Sequence, residues 1–421
     1  MRPKIYFVVK YLPPLFYYEK FLNHLKDYEF AFILLDDKGT LKYCQDNKIP
    51  FFSFFNSDPR KKRLFSVPFL KHIMDRHHFL EKVDSFLEKK RPWKLIFSEI
   101  KPCFHASALM ARANFLGIDT ITLQWCLIHN KKLPQISWRQ RILKLKQRDG
   151  SFLLGMIKNV YFFLLNKIFA LLNFFKILPN FNDPLNSSKY FGVFNGEAKE
   201  IFSIRGVDPR KITIAGNANH QAIKELRERV FSDRRFRQSL IKKYQLDPNK
   251  KNILLLSTNF YSGHAAVCMT PDEQVKYFRE IIEAIQMFFP NNEANIIFSL
   301  HPREKNIYSS YENLGVKIVM VTKARDNIDE LIALVDLCIG HPGTTVNFTI
   351  CASGVPAIFF NFTPLRFLDS YAKYYGVKYI VKEWDKFLSF LEKQKNNNLE
   401  KQYELYEDKD SIKRIVNFIT S

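Results

Sequence analysis

One pattern, met twice along the chain, constrains the fold more than any other: short β-rich runs alternate with helical stretches at the spacing of a parallel sheet. The first series runs "KIYFVV", a helix around "YYEKFLNHLKD", "FAFILL", "KLIFSE", a helix from about His105 to Phe115, and "GIDTITLQW". The second begins at "KNILLLSTNF", where Ile253 to Leu256 reads as a buried strand. It continues through a helix at "DEQVKYFREIIEAIQMFF", strands "ANIIFSL" and "VKIVMV", a helix at "NIDELIALV", strand "DLCIG", a helix at "TTVNFTICASG" and strand "PAIFF". Strand–helix alternation of this kind predicts doubly wound α/β units, whose ligands bind beyond the carboxyl ends of the strands.

A chain of 421 residues exceeds the usual single core, so two such units are also what length predicts. The expected division is an N-terminal domain over 1–235, carrying an insert at about 131–178, and a C-terminal domain over 236–382. Helices in 383–421 are expected to pack back, and the polar stretch from about Lys224 to Lys251 is expected to join the halves. The N-terminus "MRPKIYFVVKYLPP" has no long apolar region and no small-residue cleavage site, so it reads as a first strand rather than a secretory signal. Six scattered cysteines form no C-x-x-C pair or short Cys/His cluster, which argues against a disulfide framework or a zinc site and for a reducing compartment, the cytoplasm.

The insert is where the formal charge of +22 matters. From Lys131 to Arg148 it carries seven basic residues and no acid, and then "SFLLGMIKNVYFFLLNKIFALLNFFKIL" is dominated by Phe, Leu and Ile. Lys158, Asn159, Asn166, Lys167, Asn173 and Lys176 interrupt the apolar run before it can span a bilayer, and at helical spacing they occupy one side. Two placements fit: a helix lying in the membrane interface with its basic run toward anionic lipid, or a helical pair packed on the N-terminal domain.

Two His-Pro turns close strands of the second series. His301-Pro302-Arg303 follows "ANIIFSL", with a guanidinium suited to phosphate. His341-Pro342 follows "DLCIG" and leads through Gly343 to Thr344 and Thr345 at a helix start, where free backbone N–H groups and the helix dipole attract anions. An ordinary Thr cap is the structural alternative there. Of the two pairs, His301-Pro302 is read as the one facing chemistry and His341-Pro342 as a turn that delivers Gly343 and the threonines.

These residues carry a resemblance. "SLHPRE" together with "VDLCIGHPGTTVNFTICASGVPAIFF" resembles the donor-binding half of GT-B glycosyltransferases that build bacterial surface polysaccharides. The similarity is to those with an HP motif followed by a Ser/Thr pair: bacterial sialyltransferases, Kdo transferases and CDP-glycerol glycerophosphotransferases. "FNGEAKEIFSIRGVDPRKITIAGNANH" is similar to the segment that closes the N-terminal half in this group and in UDP-N-acetylglucosamine 2-epimerases, and "GIDTITLQW" resembles their "GI…LQHG" strand. The chain also departs from the pattern. Where the epimerases carry a Glu after the Gly-Gly or Ser turn, this chain has Asn347 and Thr349, and Trp125-Cys126 replace the His-Gly after Gln124.

The resemblance implies a GT-B-like α/β fold of two doubly wound Rossmann-type domains with a cleft between them. It implies a donor site in which His301, Pro302 and Arg303 meet the nucleotide or its phosphates, Gly343, Thr344 and Thr345 hold the phosphate, and Ser257 and Thr258 line the same place. The catalytic base is then expected from the N-terminal domain, where Glu99 and His129 stand first by position after strands, followed by Asp36 and Asp37, with His105 below them. His77 and His78 read as surface. Asp408-Lys409-Asp410 fits a D-x-D metal motif in letters but lies in a solvated charge run, and neither metal nor cofactor is expected.

The function expected is transfer of a sugar from a CMP- or UDP-linked donor to a lipid-linked or cell-surface glycan acceptor at an anionic membrane surface, on the inner face of the plasma membrane. A CDP-polyol phosphotransferase and a UDP-N-acetylglucosamine 2-epimerase are the alternative enzymes. A basic membrane- or nucleic-acid-binding module is the non-enzymatic one, and without an RNP, KH, zinc or helix-turn-helix signature nucleic acid is not expected as a partner.

Overall fold

A computed structural model describes residues 2–35, 38–54, 68–98, 104–125, 188–260, 268–320, 328–344, 346–365, 368–369, 376–396, 403 and 410–421, with only the backbone for 68–77, 104, 302, 303, 305, 306 and 320. The described residues form two compact units, one from those up to 125 with 188–218 and 410–421, the other from 219–409.

In the first unit the opening run becomes strand β1 (Lys4–Val9), and Ile5 to Val9 are almost fully buried. A strand buried on both faces belongs in a parallel sheet covered by helices on each side. It pairs in parallel with β2 (Glu29–Leu34) on one side and β4 (Lys94–Phe97) on the other. With β3 (Phe51–Ser53), β5 (Asp119–Leu123), β6 (Tyr190–Val193) and β7 (Ile212–Ile214), the described order is β3-β2-β1-β4-β5-β6-β7. Helix α1 (Leu12–Leu22) starts with proline in its first turn, where the missing N–H costs nothing, and buries Leu15, Tyr18, Phe21 and Leu22. Three further helices follow before the gap at 126–187: α2 (Lys38–Asp46), α3 (Pro68–Lys90) and α4 (Phe104–Phe115). Helix α5 (Gly196–Ile204) is capped by Asn195, whose Oδ1 accepts the Ala198 N–H at 2.9 Å.

The last helix of the chain, Ser411–Thr420, returns to this first unit and packs on α1. It passes so close to β6 that a Cβ on Gly192 would stand 2.6 Å from Leu123 Cδ2 and 2.8 Å from Phe418 Cε1. A strand glycine at this spot marks close approach. Gly192→Val is therefore expected to destabilise this unit by about 1–3 kcal/mol through overpacking, and a thermal melt of the variant checks it.

The second unit is a five-stranded parallel sheet in the order β10-β9-β8-β11-β12. Its strands are β8 (Lys251–Leu256), β9 (Ala294–Leu300), β10 (Lys317–Met320), β11 (Leu337–Gly340) and β12 (Ala357–Phe359). Between β8 and β9 runs helix Pro271–Phe288, begun by a capping box in which Thr270 and Glu273 satisfy each other's backbone N–H groups, and it buries Phe278, Ile281, Ile282 and Ile285. The polar stretch read as a junction folds into two helices, Ala218–Ser232 and Arg234–Lys243. Arg227, on the first of them, donates Nη1 to the carbonyls of Ile332, Ala333 and Val335 at 3.1–3.3 Å, satisfying the end of helix Ile328–Leu334. Of the terminal helices, Trp384–Lys395 stays in this second unit.

Candidate functional site

Strand order marks the edge at which doubly wound sheets take their ligands. The chain lays down β8, β9 and β10 in one direction and then crosses back to place β11 on the other side of β8, so the carboxyl ends of β8 and β11 flank the point where the order reverses. At this edge β9 ends in His301, β8 in Ser257 and Thr258, and β11 in the turn from His341 to Thr344. Three neighbouring strands thus deliver the candidate donor residues side by side. A cavity of about 370 Å³ among Lys250, Lys251, Asp336 and Pro356 lies at the opposite, amino-terminal edge, away from these residues.

A residue to which the sequence pattern assigns no role organises the β8 and β9 ends. Glu304, at a kink in the 3-10 stretch Pro302–Tyr311, is fully buried. One carboxylate oxygen, Oε2, accepts the Ser257 hydroxyl and, at 2.6 Å, the backbone N–H of His301. The other, Oε1, accepts the Gln274 amide, whose own Oε1 takes the Phe260 N–H at 2.7 Å. Burial pushes the Glu304 carboxyl up to about 7, against the three donors, which favour the ionised form and lower it. Ser257 Oγ also accepts the His301 N–H at 2.7 Å, so the two strand ends are tied through one hydroxyl. Next to it the Thr258 Oγ1 is buried and has no hydrogen-bond partner among the described residues, an unmet polar atom of the kind a ligand satisfies.

His341 is built into the fold. Fully buried, it accepts the Gly343 N–H on Nδ1 at 3.2 Å. Nε2 then carries the ring proton and donates it to Asn361 Oδ1 at 2.9 Å. Burial drives the imidazole down to about 4, although the Asn361 bond and the Asp369 charge both raise it, so the ring is neutral at ordinary pH. The ring stands edge-on to Phe260, 4.9 Å between centroids. The turn it holds brings Gly343 and Thr344 to the start of helix Val346–Ser353, where Thr344 Oγ1 accepts the Val346 N–H at 3.4 Å, a weak cap in which the hydroxyl acts as acceptor. Asn347, fully buried, donates to the His341 carbonyl at 2.9 Å.

Pro302 and Arg303 open the 3-10 helix directly after His301, with only their backbone described. Thr345, Glu99, His129, Asp36, Asp37, the basic insert, and Asp408 and Lys409 of the D-x-D run lie outside the described residues, while Asp410 is exposed before the last helix. At the carboxyl edge of the first sheet, Tyr11 after β1 and Trp125 after β5 meet edge to face at 5.6 Å, with β4 between their strands. Gln124 is structural: buried, it accepts the Phe194 N–H at 3.0 Å and fastens β5 to the end of β6. His105 packs its ring on Phe79, and His78 is exposed beside Glu81. The sequence marked the strand ends but not Glu304, Gln274 or Asn361. The one available signal was the Glu of "HPRE", placed four residues after a strand end.

No protein-family model and no curated protein sequence matches the chain. Solved structures do match along its whole length. It superposes on the UDP-GlcNAc 2-epimerase from Methanocaldococcus jannaschii with a TM-score of 0.59 at 15% identity, covering 99% of each chain. For the UDP-GlcNAc 2-epimerase from Neisseria meningitidis bound to UDP-GlcNAc the TM-score is 0.58 at 11% identity, covering 100% of each chain. For the wall teichoic acid polymerase TagF, as its H444N form with CDPG, it is 0.54 at 12% identity, covering 99% of this chain and 87% of that one. At these identities the likeness shows the fold, and the fold is the expected GT-B type with two parallel, Rossmann-like α/β units.

Proposed function

We propose that the chain is a nucleotide-sugar-dependent glycosyltransferase. The observation that carries the reading is the carboxyl edge of the second sheet, where Ser257 and the buried Thr258 hydroxyl, unpartnered among the described residues, end β8, and the Gly343–Thr344 turn ends the neighbouring β11. Hydroxyls and a helix start at a topological switch point suit the phosphates of a nucleotide sugar. In this reading Arg303, the backbone N–H groups at the start of helix Val346–Ser353 and the Thr344 hydroxyl stabilise the departing nucleotide phosphate, a task that needs no metal.

The first unit is assigned the acceptor. Glu99, which follows β4 in sequence, and His129 are the proposed bases for the attacking hydroxyl. The exposed face of Tyr11 and the Trp125 ring offer an apolar surface on which a sugar can stack. A lipid-linked or surface glycan as acceptor, and an anionic membrane surface as the place of action, rest on the basic, amphipathic sequence of the insert. Among the described residues no helix is long and apolar enough to cross a membrane. Nucleic acid is not proposed as a partner.

Two other readings share the fold. An epimerase, the activity named for two of the similar structures, is disfavoured by Asn347 and Thr349, which put no carboxylate where the resemblance calls for one, and the Asn347 amide N–H is donated to the His341 carbonyl. A polyol-phosphate transferase draws support from the likeness to a teichoic acid polymerase soaked with CDPG. Product analysis separates all three: UDP-GlcNAc, a CMP-linked sugar and CDP-glycerol are each incubated with the protein, with and without membrane lipids. Label moving into lipid with release of the nucleotide supports the transferase, CMP released with transfer of a polyol phosphate supports the phosphotransferase, and a changed UDP-sugar without any acceptor supports the epimerase.

A further inference from the structure

We propose that Glu304 is a positioning residue that couples phosphate binding at Ser257 to the uptake of one proton, an inference that rests on the donor-site reading above. The geometry leaves Ser257 one choice at a time. A hydroxyl has a single proton and two lone pairs. Here the proton goes to Glu304 Oε2, while the His301 N–H occupies a lone pair at 2.7 Å. A phosphate oxygen arriving at Ser257 meets lone pairs, not a donor, and it adds a negative charge beside an ionised, buried carboxylate. Both conflicts are removed by one event.

A proton from solvent bonds to Glu304 Oε2. The new O–H donates to Ser257 Oγ, the Ser257 hydroxyl turns outward, and its proton is given to the phosphate. No other covalent bond changes, and the Gln274 amide keeps its hold on Oε1. Among the described residues, the groups that hydrogen-bond Glu304 are uncharged: Ser257 from the end of β8, Gln274 from helix Pro271–Phe288 and the backbone of His301 from its own turn. The other ionisable side chains on those elements are the His301 imidazole with Arg303 and Lys305 beside it in sequence, Lys251 at the far end of β8, and on the helix Asp272, Glu273, Lys276, Arg279, Glu280, Glu283 and Tyr277, whose phenol burial pushes well up. Because burial already raises the carboxyl to about 7, the protonated form is within reach at neutral pH.

The sign of the linkage gives the test. A ligand that binds with proton uptake binds more weakly as pH rises past the carboxyl's range, by up to about tenfold per pH unit for one proton. Calorimetric titration with UDP-GlcNAc and with CDP-glycerol, whose diphosphate diesters do not themselves titrate near neutrality, is run at about pH 6.5, 7.5 and 8.5 in two buffers of different ionisation enthalpy. The expected result is close to one proton taken up per ligand at the highest pH, and affinity falling about three- to tenfold between the upper two. His301→Asn, which keeps the backbone N–H, retains this uptake, and Glu304→Gln binds with no pH dependence.

Binding with equal affinity across the range and no proton uptake overturns the coupling and leaves the donor site standing. Uptake lost in His301→Asn but kept in Glu304→Gln overturns it in favour of the imidazole. If neither nucleotide compound binds at any pH, the donor-site reading falls and the coupling falls with it. The buffer comparison is made on the unaltered protein, so its outcome does not depend on how well Glu304→Gln folds.

Discussion

His341→Ala is expected to destabilise the second unit by about 3–5 kcal/mol. The substitution deletes a fully buried ring, leaves the Gly343 N–H without its acceptor and removes the Nε2–H donor from Asn361; an unsatisfied buried polar group costs about 1–3 kcal/mol, and the cavity under Phe260 adds to it. For a unit of this size that is a fall of roughly 10 °C in melting temperature. A matching signature appears in acid. The folded-state imidazole titrates at about 4 against an ordinary 6.5, so the unfolded chain binds the proton first as pH falls. His341 therefore lends its full stability above pH 6.5 and loses it progressively down to about 4, by about 3 kcal/mol in all. Chemical denaturation at several pH values checks both, since the alanine variant should lose this slope along with its stability. Unchanged stability in His341→Ala would mean that the turn before Thr344 is held by something else.

That outcome bears on how far the site could be read from the residues. The two His-Pro pairs look alike as dipeptides, and only packing separates them. His341 is closed in by Phe260, Asn361 and its own turn, whereas at His301 the backbone N–H is the group tied to Ser257 and Glu304. The strands were legible because a two-faced parallel sheet writes itself as uninterrupted apolar runs such as Ile253 to Leu256. Strand order was not, since nothing local says that β11 returns to lie beside β8, and that return sets the carboxyl ends of β8 and β11 side by side.

Glu304 was hidden for a related reason. In "HPREK" a Glu among basic residues reads as a solvated charge, and it is buried only because Ser257 and Gln274, forty-seven and thirty residues away, close over it. The stretch from about Lys224 to Lys251, expected to join the halves, hid its helices for the opposite reason. Its charge density masks sparse apolar positions, among them Val230, Leu240, Ile241 and Tyr244, that are buried in or at the end of two helices. Trp125 illustrates a third limit: its identity showed a departure from the resemblance, while its contact with Tyr11 needs the fold to bring β1 and β5 to the same edge.

Arg303→Ala carries the largest expected effect on activity, a loss of about 10²–10³ in kcat with a weaker loss of donor affinity, because a preorganised donor aimed at developing phosphate charge contributes on this scale. Thr344→Val, which removes a neutral hydroxyl, should cost about tenfold in donor affinity, the equivalent of a single hydrogen bond. Thr344 adds little to the core: it is half-buried at the helix start, and its hydroxyl takes a long bond from Val346. Thr344→Val should therefore melt close to the unaltered protein without ligand. Arg303→Lys would restore charge but not the bidentate fork, and is expected to recover part of the loss only.

The central claim is that a nucleotide's phosphates sit at the carboxyl edge of the second sheet, and its most direct measurement is a thermal-shift screen with CMP, CDP, UDP and GDP. A ligand that binds only the folded state at about a hundred times its Kd adds about 2.7 kcal/mol, or several degrees in this size range. The account predicts that at least one of the four raises the melting temperature of the unaltered protein and that Thr344→Val and Arg303→Ala each reduce the shift. A stabilising nucleotide whose shift is the same in both variants would contradict the site, and no shift with any of the four would contradict the function.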